Sequence, residues 1–378
     1  MNILIAPNAF KNSLDAASAA AAIEKGLLQS NLKCRCTRFP VGDGGDGTAE
    51  ILVQRFNGRK ISLTAHDPLG RPIKVEFGLI EGGKIAVIEM ADVSGLKLLK
   101  REELDPLHAT SFGTGELIKN ALDKQVQKII LCIGGSATVD GGTGALHALG
   151  VRFLDRGNNV LSNLPEELNY LAAIDVSGLD KRIYNCEIVV LCDVENTLLG
   201  EHGAARIFGP QKGANAADVD KLELGLVTFR DIVLQQTGKN MASIRHGGAA
   251  GGIAASFAAL LNAELATGID YFLDVTEFEK ALTETDLVIT GEGSIDEQTL
   301  QGKGPYGVAK RAKQKGVPVI ALAGRIPSQE DAELKKYFDK MFRISTKPDI
   351  INAMKHTKEN LTSTATSIGN LLNDELVL

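Results

Sequence analysis

Six short runs of apolar, β-branched residues constrain this chain more than any other feature; they lie at 2–7, 33–39, 128–133, 286–290, 318–323 and 341–344. Each has the length of one strand and is read as a strand buried on both faces. Helical periodicity follows most of them, at 14–28, 48–56, 143–149, 306–314 and 329–337, and Ser13 stands before the first as its cap. Strand then helix, repeated, predicts an α/β protein with a parallel six-stranded sheet covered on both faces. Right-handed crossovers then bring the carboxyl ends of all the strands to one edge.

The intervening stretches read differently. Between 60 and 89, short alternating runs are broken by Asp67-Pro68-Leu69-Gly70 and Glu81-Gly82-Gly83, which predicts antiparallel hairpins. Residues 151–180 are polar and loop-rich, 187–192 read as a further strand, and 215–263 read as long helices around a Gly/Ala-rich centre. These stretches predict a second, smaller α/β domain inserted into the first. The expected division is 1–60 with 110–150 and 285–378, against 61–109 with 151–284. The tail after Asp349 reads as a C-terminal helix.

Composition removes several classes of function. The 378 residues carry a formal charge of −6, contain no Trp, and offer no basic tract for nucleic acid or an anionic membrane. The Ala-rich stretch 16–28 includes Glu24 and Lys25 and is too short to span a bilayer. Five cysteines without a CxxC pair, all in strand-like stretches, predict buried thiols in a reducing, cytoplasmic setting. Six histidines without paired spacing offer no zinc site.

The 40 glycines cluster where strands end. The first strand runs into Asn8-Ala9-Phe10-Lys11-Asn12-Ser13, and the second into Gly42-Asp43-Gly44-Gly45-Asp46-Gly47. The run at 128–133 leads into Gly134-Gly135-Ser136-Ala137-Thr138-Val139-Asp140-Gly141-Gly142, and that at 286–290 into Gly291-Glu292-Gly293-Ser294-Ile295-Asp296. Open parallel sheets bind ligands beyond these ends, so the four tails are expected to converge on one crevice, with Asp193 facing it. Backbone N–H groups freed by glycine suit phosphate oxygens, and carboxylates suit Mg²⁺. Gly42-x-Gly44-x-x-Gly47 also fits a dinucleotide fingerprint, yet Asp43 and Asp46 would repel a pyrophosphate, and a plain Asp-capped turn explains it too. No Gly-x-x-x-x-Gly-Lys-Ser/Thr loop occurs. Phe208-Gly209-Pro210-Gln211-Lys212-Gly213 offers either a phosphate partner or an exposed charge, and 246–252 either a ligand loop or a packing stretch.

In order along the chain, Ala6-Pro7-Asn8-Ala9-Phe10-Lys11, Asp43-Gly44-Gly45-Asp46-Gly47-Thr48, Asp67-Pro68-Leu69-Gly70-Arg71-Pro72, Ile133–Gly142, Cys192-Asp193-Val194, Phe208–Ala214 and Thr290-Gly291-Glu292-Gly293 through Gly302-Lys303 resemble the motifs of the bacterial glycerate kinase family, glycerate 2-kinase type. They span nearly the whole chain. Asn8 departs from the acid usual in that family, and Val139 stands where Asn is usual. The resemblance implies a flavodoxin- or Rossmann-like domain beside a smaller α/β domain, with the site in the cleft. It also implies transfer of the ATP γ-phosphoryl group to D-glycerate, giving 2-phosphoglycerate and ADP, with Mg²⁺ as cofactor. The expected partner is that small molecule alone, and a homodimer is left open.

On this reading Gly134, Gly135, Ser136, Gly141, Gly142, Gly291 and Gly293 wrap the nucleotide phosphates. Asp140 and Asp296 hold the metal, and Lys11, Ser13, Asp43 and Arg71 bind substrate. Asp193, Asp43 and Lys212 carry the catalysis, with Asp193 preferred as base. A nicotinamide-dependent oxidoreductase and a non-catalytic organic-acid-binding protein are the alternatives.

Overall fold

The computed structural model describes residues 1–327, 331–345 and 350–377. In chain order its main elements begin with β1 (Asn2–Ile5), α1 (Ala16–Gln29) and β2 (Arg35–Arg38). There follow α2 (Thr48–Arg55), β3 (Arg59–His66), β4 (Pro72–Ile80), β5 (Ile85–Glu89), α3 (Phe112–Asp123), β6 (Lys128–Cys132) and α4 (Thr143–Ala148). Next come β7 (Arg152–Leu154), β8 (Ala173–Asp175), β9 (Glu187–Cys192), α5 (Ala216–Thr237), α6 (Ile253–Leu261) and β10 (Glu264–Thr267). The chain closes with β11 (Leu287–Ser294), α7 (Gly304–Gln314), β12 (Val319–Arg325), β13 (Lys340–Arg343) and α8 (Thr357–Val377).

Two compact units result: Met1–Asp43 with Thr267–Leu378, and Gly44–Ala266 inserted between them. The first unit holds a parallel sheet in the order β13-β12-β11-β1-β2. It has five strands where six were expected. From β1 the chain proceeds through α1 to β2 on one side, while β11 leads through α7 to β12 on the other. The sheet therefore reverses its winding between β1 and β11, the place where an open α/β sheet leaves a crevice at its strand ends. Its core is built from Ile3, Ile5, Ile23, Leu27, Ile289 and Leu322, closed by Leu361 and Ile368 of α8. Helices α1 and α8 touch backbone to backbone, because a Cβ at Gly26 would lie 2.2 Å from the Thr362 carbonyl oxygen.

The missing sixth strand, β6, lies in the inserted unit. There it pairs in parallel with β5 and β9, within the mixed order β10-β9-β6-β5-β4-β3. The hairpins read between 60 and 89 are present as antiparallel β3–β4 and β4–β5. What the pattern did not reveal is that β5 also offers a parallel edge to β6; a fully buried strand looks alike in either sheet. The expected division therefore shifts: 44–60 and 110–150 belong to the inserted unit, which is one continuous segment and the longer of the two.

Three local expectations also change. Asp15 caps α1, its carboxylate accepting from Ser18 N at 2.8 Å, and not Ser13. Strand β11 continues four residues beyond 290, so Gly291 and Gly293 are strand residues. The helix expected at 329–337 is Ala332–Lys335; residues 328–330 are outside the described part. All five cysteines are free thiols, with Cys132, Cys186 and Cys192 buried and Cys34 and Cys36 half-buried. No helix among the described residues is long and apolar enough to cross a membrane.

Gly291 shows why glycine sits in a central strand. It pairs with Leu322, and a Cβ there would come 2.2 Å from the Leu322 carbonyl oxygen. Gly291→Ala must push β12 away, so it should lose about 1–3 kcal/mol in urea unfolding; an unchanged midpoint would show that β11 and β12 are not so closely paired.

Candidate active site

In the inserted unit the segment after β6 is wound around one carboxylate. Asp140 is fully buried and accepts four hydrogen bonds: Ser111 N at 2.9 Å, Ser111 Oγ at 2.6 Å, Gly142 N at 3.0 Å and Gly144 N at 3.1 Å. The Ser111 hydroxyl oxygen in turn accepts from Ala145 N at 3.0 Å. Gly141 and Gly142 take positive φ to make this turn, and the Gly141 amide donates to the Gly251 carbonyl oxygen at 2.9 Å. At the other end, Gly134 N donates to the Gly44 carbonyl oxygen at 3.1 Å, and a Cβ at Gly134 would come 2.6 Å from Gly45 Cα. The two glycine-rich segments thus lie backbone against backbone.

This geometry corrects part of the expectation. The amides of Gly134, Gly141 and Gly142 already have protein acceptors, so they shape the loop and do not wrap phosphates. Asp140 meets four donors away from water, three of them on Oδ2, which supports a loop-organising role for it rather than the expected metal role. Gly135 and Ser136 remain the ligand-binding candidates of this segment.

Lys212, in the turn Pro210–Lys212, reaches this loop. The residue is 3% exposed, and its ammonium donates to Ser136 Oγ at 2.9 Å and to the Thr138 carbonyl oxygen at 2.7 Å. Both acceptors are neutral. Burial pushes the Lys212 pKa down to about 7, and the charges of Asp140 and Asp193 offset only part of that. Asp193 is half-buried immediately after β9. Lys212, Asp193 and Ser136 are therefore brought together by the ends of β6 and β9 within one unit.

The other residues of this unit are engaged elsewhere. The Arg71 guanidinium donates to Asp67 Oδ2 and to Glu103 Oε1, each at 2.6 Å, clamping the 67–71 turn instead of standing free for substrate. Asp46, Glu89 and Asp92 form the one trio of potential metal ligands among the described residues, within 4.8 Å of one another. The Lys97 ammonium already binds Asp46 at 2.6 Å and Asp92 at 2.7 Å. Burial, the contact with Asp46 and the charge of Asp92 raise the Glu89 carboxyl to about 8. Glu89 also accepts from the amides of Gly47 and Ala49 at the start of α2. The helix end that a dinucleotide pyrophosphate would use is thus filled by the protein's own carboxyl group.

In the first unit, Asn8, Asp43 and Glu292 gather where β1, β2 and β11 end. The Asn8 carboxamide nitrogen donates to Asp43 Oδ2 at 2.6 Å, and Gly304 N at the start of α7 approaches the same oxygen at 3.4 Å. The acid usual at position 8 would set two carboxylates side by side; Asn8 replaces that pair with a hydrogen bond. Glu292 is 8% exposed and accepts from the Thr299 hydroxyl at 2.9 Å. Burial raises its pKa to about 7; Lys303 and Thr299 oppose the shift, and the charges of Asp43 and Asp296 add to it. Asp296 accepts from Ser294 Oγ at 3.2 Å. Lys11 is exposed in the turn after β1, whose backbone passes 3.6 Å from a Cβ built on Gly293. Ser13 departs from its expected substrate role: its hydroxyl donates to the Met354 carbonyl oxygen at 2.6 Å, tying this turn to the C-terminal helices.

Sequence reasoning left Asn8 and Glu292 of the first unit, and Thr138 and Ser111 of the inserted unit, out of the candidate residues. Glu292 carried a signal, a lone acid in an otherwise apolar strand. Ser111 carried none, since only the fold brings it to Asp140.

Comparison with known proteins follows this arrangement. Residues 3–373 match the model of the Glycerate kinase family. The chain is 44% identical to the glycerate kinase of Bacillus subtilis, covering 97% of each chain. It is 41% identical to the glycerate 2-kinase of Escherichia coli over 92% of this chain and 91% of the other. The crystal structure of a glycerate kinase 2 from Salmonella typhimurium LT2 superposes with a TM-score of 0.86 at 40% identity, covering 100% of both chains.

The role of Asp140 is open to a direct check. Asp140→Asn turns an accepting oxygen into an NH₂ that faces amide donors, so it should lose about 2–4 kcal/mol in urea unfolding. The loss should be equal in EDTA and in Mg²⁺; a loss confined to Mg²⁺ would restore the metal role.

Proposed function

The chain belongs to the glycerate kinase family, and from that premise we propose that it transfers the γ-phosphoryl group of ATP to the 2-hydroxyl of D-glycerate, giving 2-phosphoglycerate and ADP. The observation that carries this reading is Lys212, a buried amino group bonded to two neutral oxygens, whose charged form burial disfavours. Such a group is costly to bury and gains most from an anionic oxygen placed against it.

Phosphoryl transfer asks for positioning and charge stabilisation more than covalent help. The hydroxyl oxygen of D-glycerate forms a bond to the γ-phosphorus, the bond from that phosphorus to the bridging oxygen breaks, and ADP departs with its electron pair. Asp193 takes the proton of the attacking hydroxyl. Lys212 faces the negative charge of the reacting groups, held in place by Ser136 and the Thr138 carbonyl, and Gly135 supports the same loop. In the first unit, Asp43 and Lys11 contribute to substrate binding. The residues there fit a divalent cation, since Mg²⁺ usually takes only one or two carboxylates beside phosphate oxygens and water. Asp296 would hold it, and bound Mg²⁺ would neutralise phosphate charge.

The test is ³¹P NMR of the protein with ATP, Mg²⁺ and D-glycerate, beside controls lacking D-glycerate or Mg²⁺. A new phosphomonoester signal split by one proton is expected, absent from both controls; splitting by two protons would assign the 3-hydroxyl, and no signal would remove the kinase reading. Asp193→Asn should lower kcat by about 10²–10⁴-fold with ATP affinity unchanged; near-normal kcat would exclude Asp193 as the base.

A further inference from the structure

Thr299 stands between a buried acid and the candidate metal ligand of the first unit. It is fully buried in the short turn Glu297–Gln301, which leads from β11 to α7. A hydroxyl has one proton to give. Glu292 Oε1 lies 2.9 Å from it and the Ser294 carbonyl oxygen 3.5 Å, so the proton goes to Glu292. With its proton committed there, the Thr299 hydroxyl oxygen accepts from Asp296 N at 3.2 Å. The Thr299 amide in turn donates to the Asp296 carbonyl oxygen at 2.9 Å. Both backbone polar groups of Asp296 are therefore held by one residue. The stretch is pinned on either side: Ile295 is fully buried with its amide on the Arg325 carbonyl oxygen at 3.0 Å, and Lys303 N donates to the Thr299 carbonyl oxygen at 3.2 Å. This gives the Glu292 carboxyl a purpose in an otherwise apolar strand, since it sets the direction of the Thr299 hydroxyl.

We propose that Thr299, oriented by Glu292, is a positioning residue that fixes Asp296 for a divalent cation. This rests on the reading of Asp296 as the holder of Mg²⁺ and adds the residues that make that carboxylate precise. Mg²⁺ demands near-ideal octahedral geometry, so a protein that offers it one carboxylate has to place that carboxylate well. Groups that orient a ligating side chain matter about as much to affinity as a ligand does. Thr299 acts on the Asp296 backbone, so its effect on the cation passes through Asp296.

Thr299→Val, which keeps the shape and removes the hydroxyl, Thr299→Ser, which keeps the hydroxyl, Asp296→Asn and the double variant Thr299→Val with Asp296→Asn test this. Affinity for Mn²⁺ with ADP is read from water-proton relaxation, affinity for ADP in EDTA by calorimetry, and the Mg²⁺ requirement from steady-state rates. Thr299→Val should bind Mn²⁺ with ADP about tenfold more weakly and need about tenfold more Mg²⁺ for half-maximal rate, whereas Thr299→Ser should stay within about threefold of wild type. Affinity for ADP in EDTA should not move, which separates a placed carboxylate from general damage. In the Asp296→Asn background, Thr299→Val should weaken cation binding no further. Unchanged Mn²⁺ binding by Thr299→Val would overturn the proposal, as would an equal loss in the Asp296→Asn background or an equal loss of ADP binding in EDTA. Unchanged cation binding by Asp296→Asn itself would remove the metal reading of Asp296 and the proposal with it. Absence of turnover in the wild type would remove the kinase reading alone, because the Mn²⁺ titrations need no turnover.

Discussion

A carboxylate shut away from water organises the inserted unit. Asp140 stays buried because four donors converge on it, two from Ser111 and two from the start of α4. Each donor is a group that would otherwise be unmet where the chain turns from β6 into α4. Wrapping the turn around an anion fixes the path of 134–144, which sets the Ser136 hydroxyl and the Thr138 carbonyl. Those two oxygens set Lys212. On this geometry, loss of Asp140 should free the loop, whereas loss of Lys212 should leave the four bonds that shape it in place.

Glycine makes this dense arrangement sterically possible. At Gly134 the chain lies against Gly45, and at Gly251 it lies against Thr138, distances that leave no room for a side chain. Glycine excess in this chain thus reflects backbone meeting backbone at least as much as backbone meeting ligand. Nothing in a Gly-rich run distinguishes the two uses, which is why Gly134, Gly141 and Gly142 looked like phosphate donors. Their amides have protein acceptors, and those of Gly134 and Gly141 lie far away in the chain.

Much of the architecture was legible because buried strands and amphipathic helices leave strong periodic traces. The parallel runs, the hairpins between 60 and 89 and the strand at 187–192 all follow from such traces. The partner of β6 does not, since a strand buried on both faces reads the same in a parallel or a mixed sheet. Candidate residues stand out in the sequence where a charged group follows a strand, as at Asp43 and Asp193, or sits in a rigid turn, as at Lys212. Arg71 and Ser13 were misread because each has a strong partner inside the fold that no local pattern announces: Asp67 and Glu103 for one, Met354 for the other. Asn8 makes sense only beside Asp43.

The central claim is that Lys212 waits for the negative charge its reactants bring. With its pKa pushed down to about 7 by burial, Lys212 is mostly neutral at pH 8, and an anionic oxygen alongside would favour its protonation. Between pH 7 and 10, forming the complex should therefore draw a proton from solution. The measurement is calorimetric titration of D-glycerate with a non-hydrolysable ATP analogue at pH 8, in two buffers of different ionisation enthalpy. The prediction is an uptake approaching one proton in the wild type that is missing in Lys212→Met. Equal proton counts in the two proteins would contradict it.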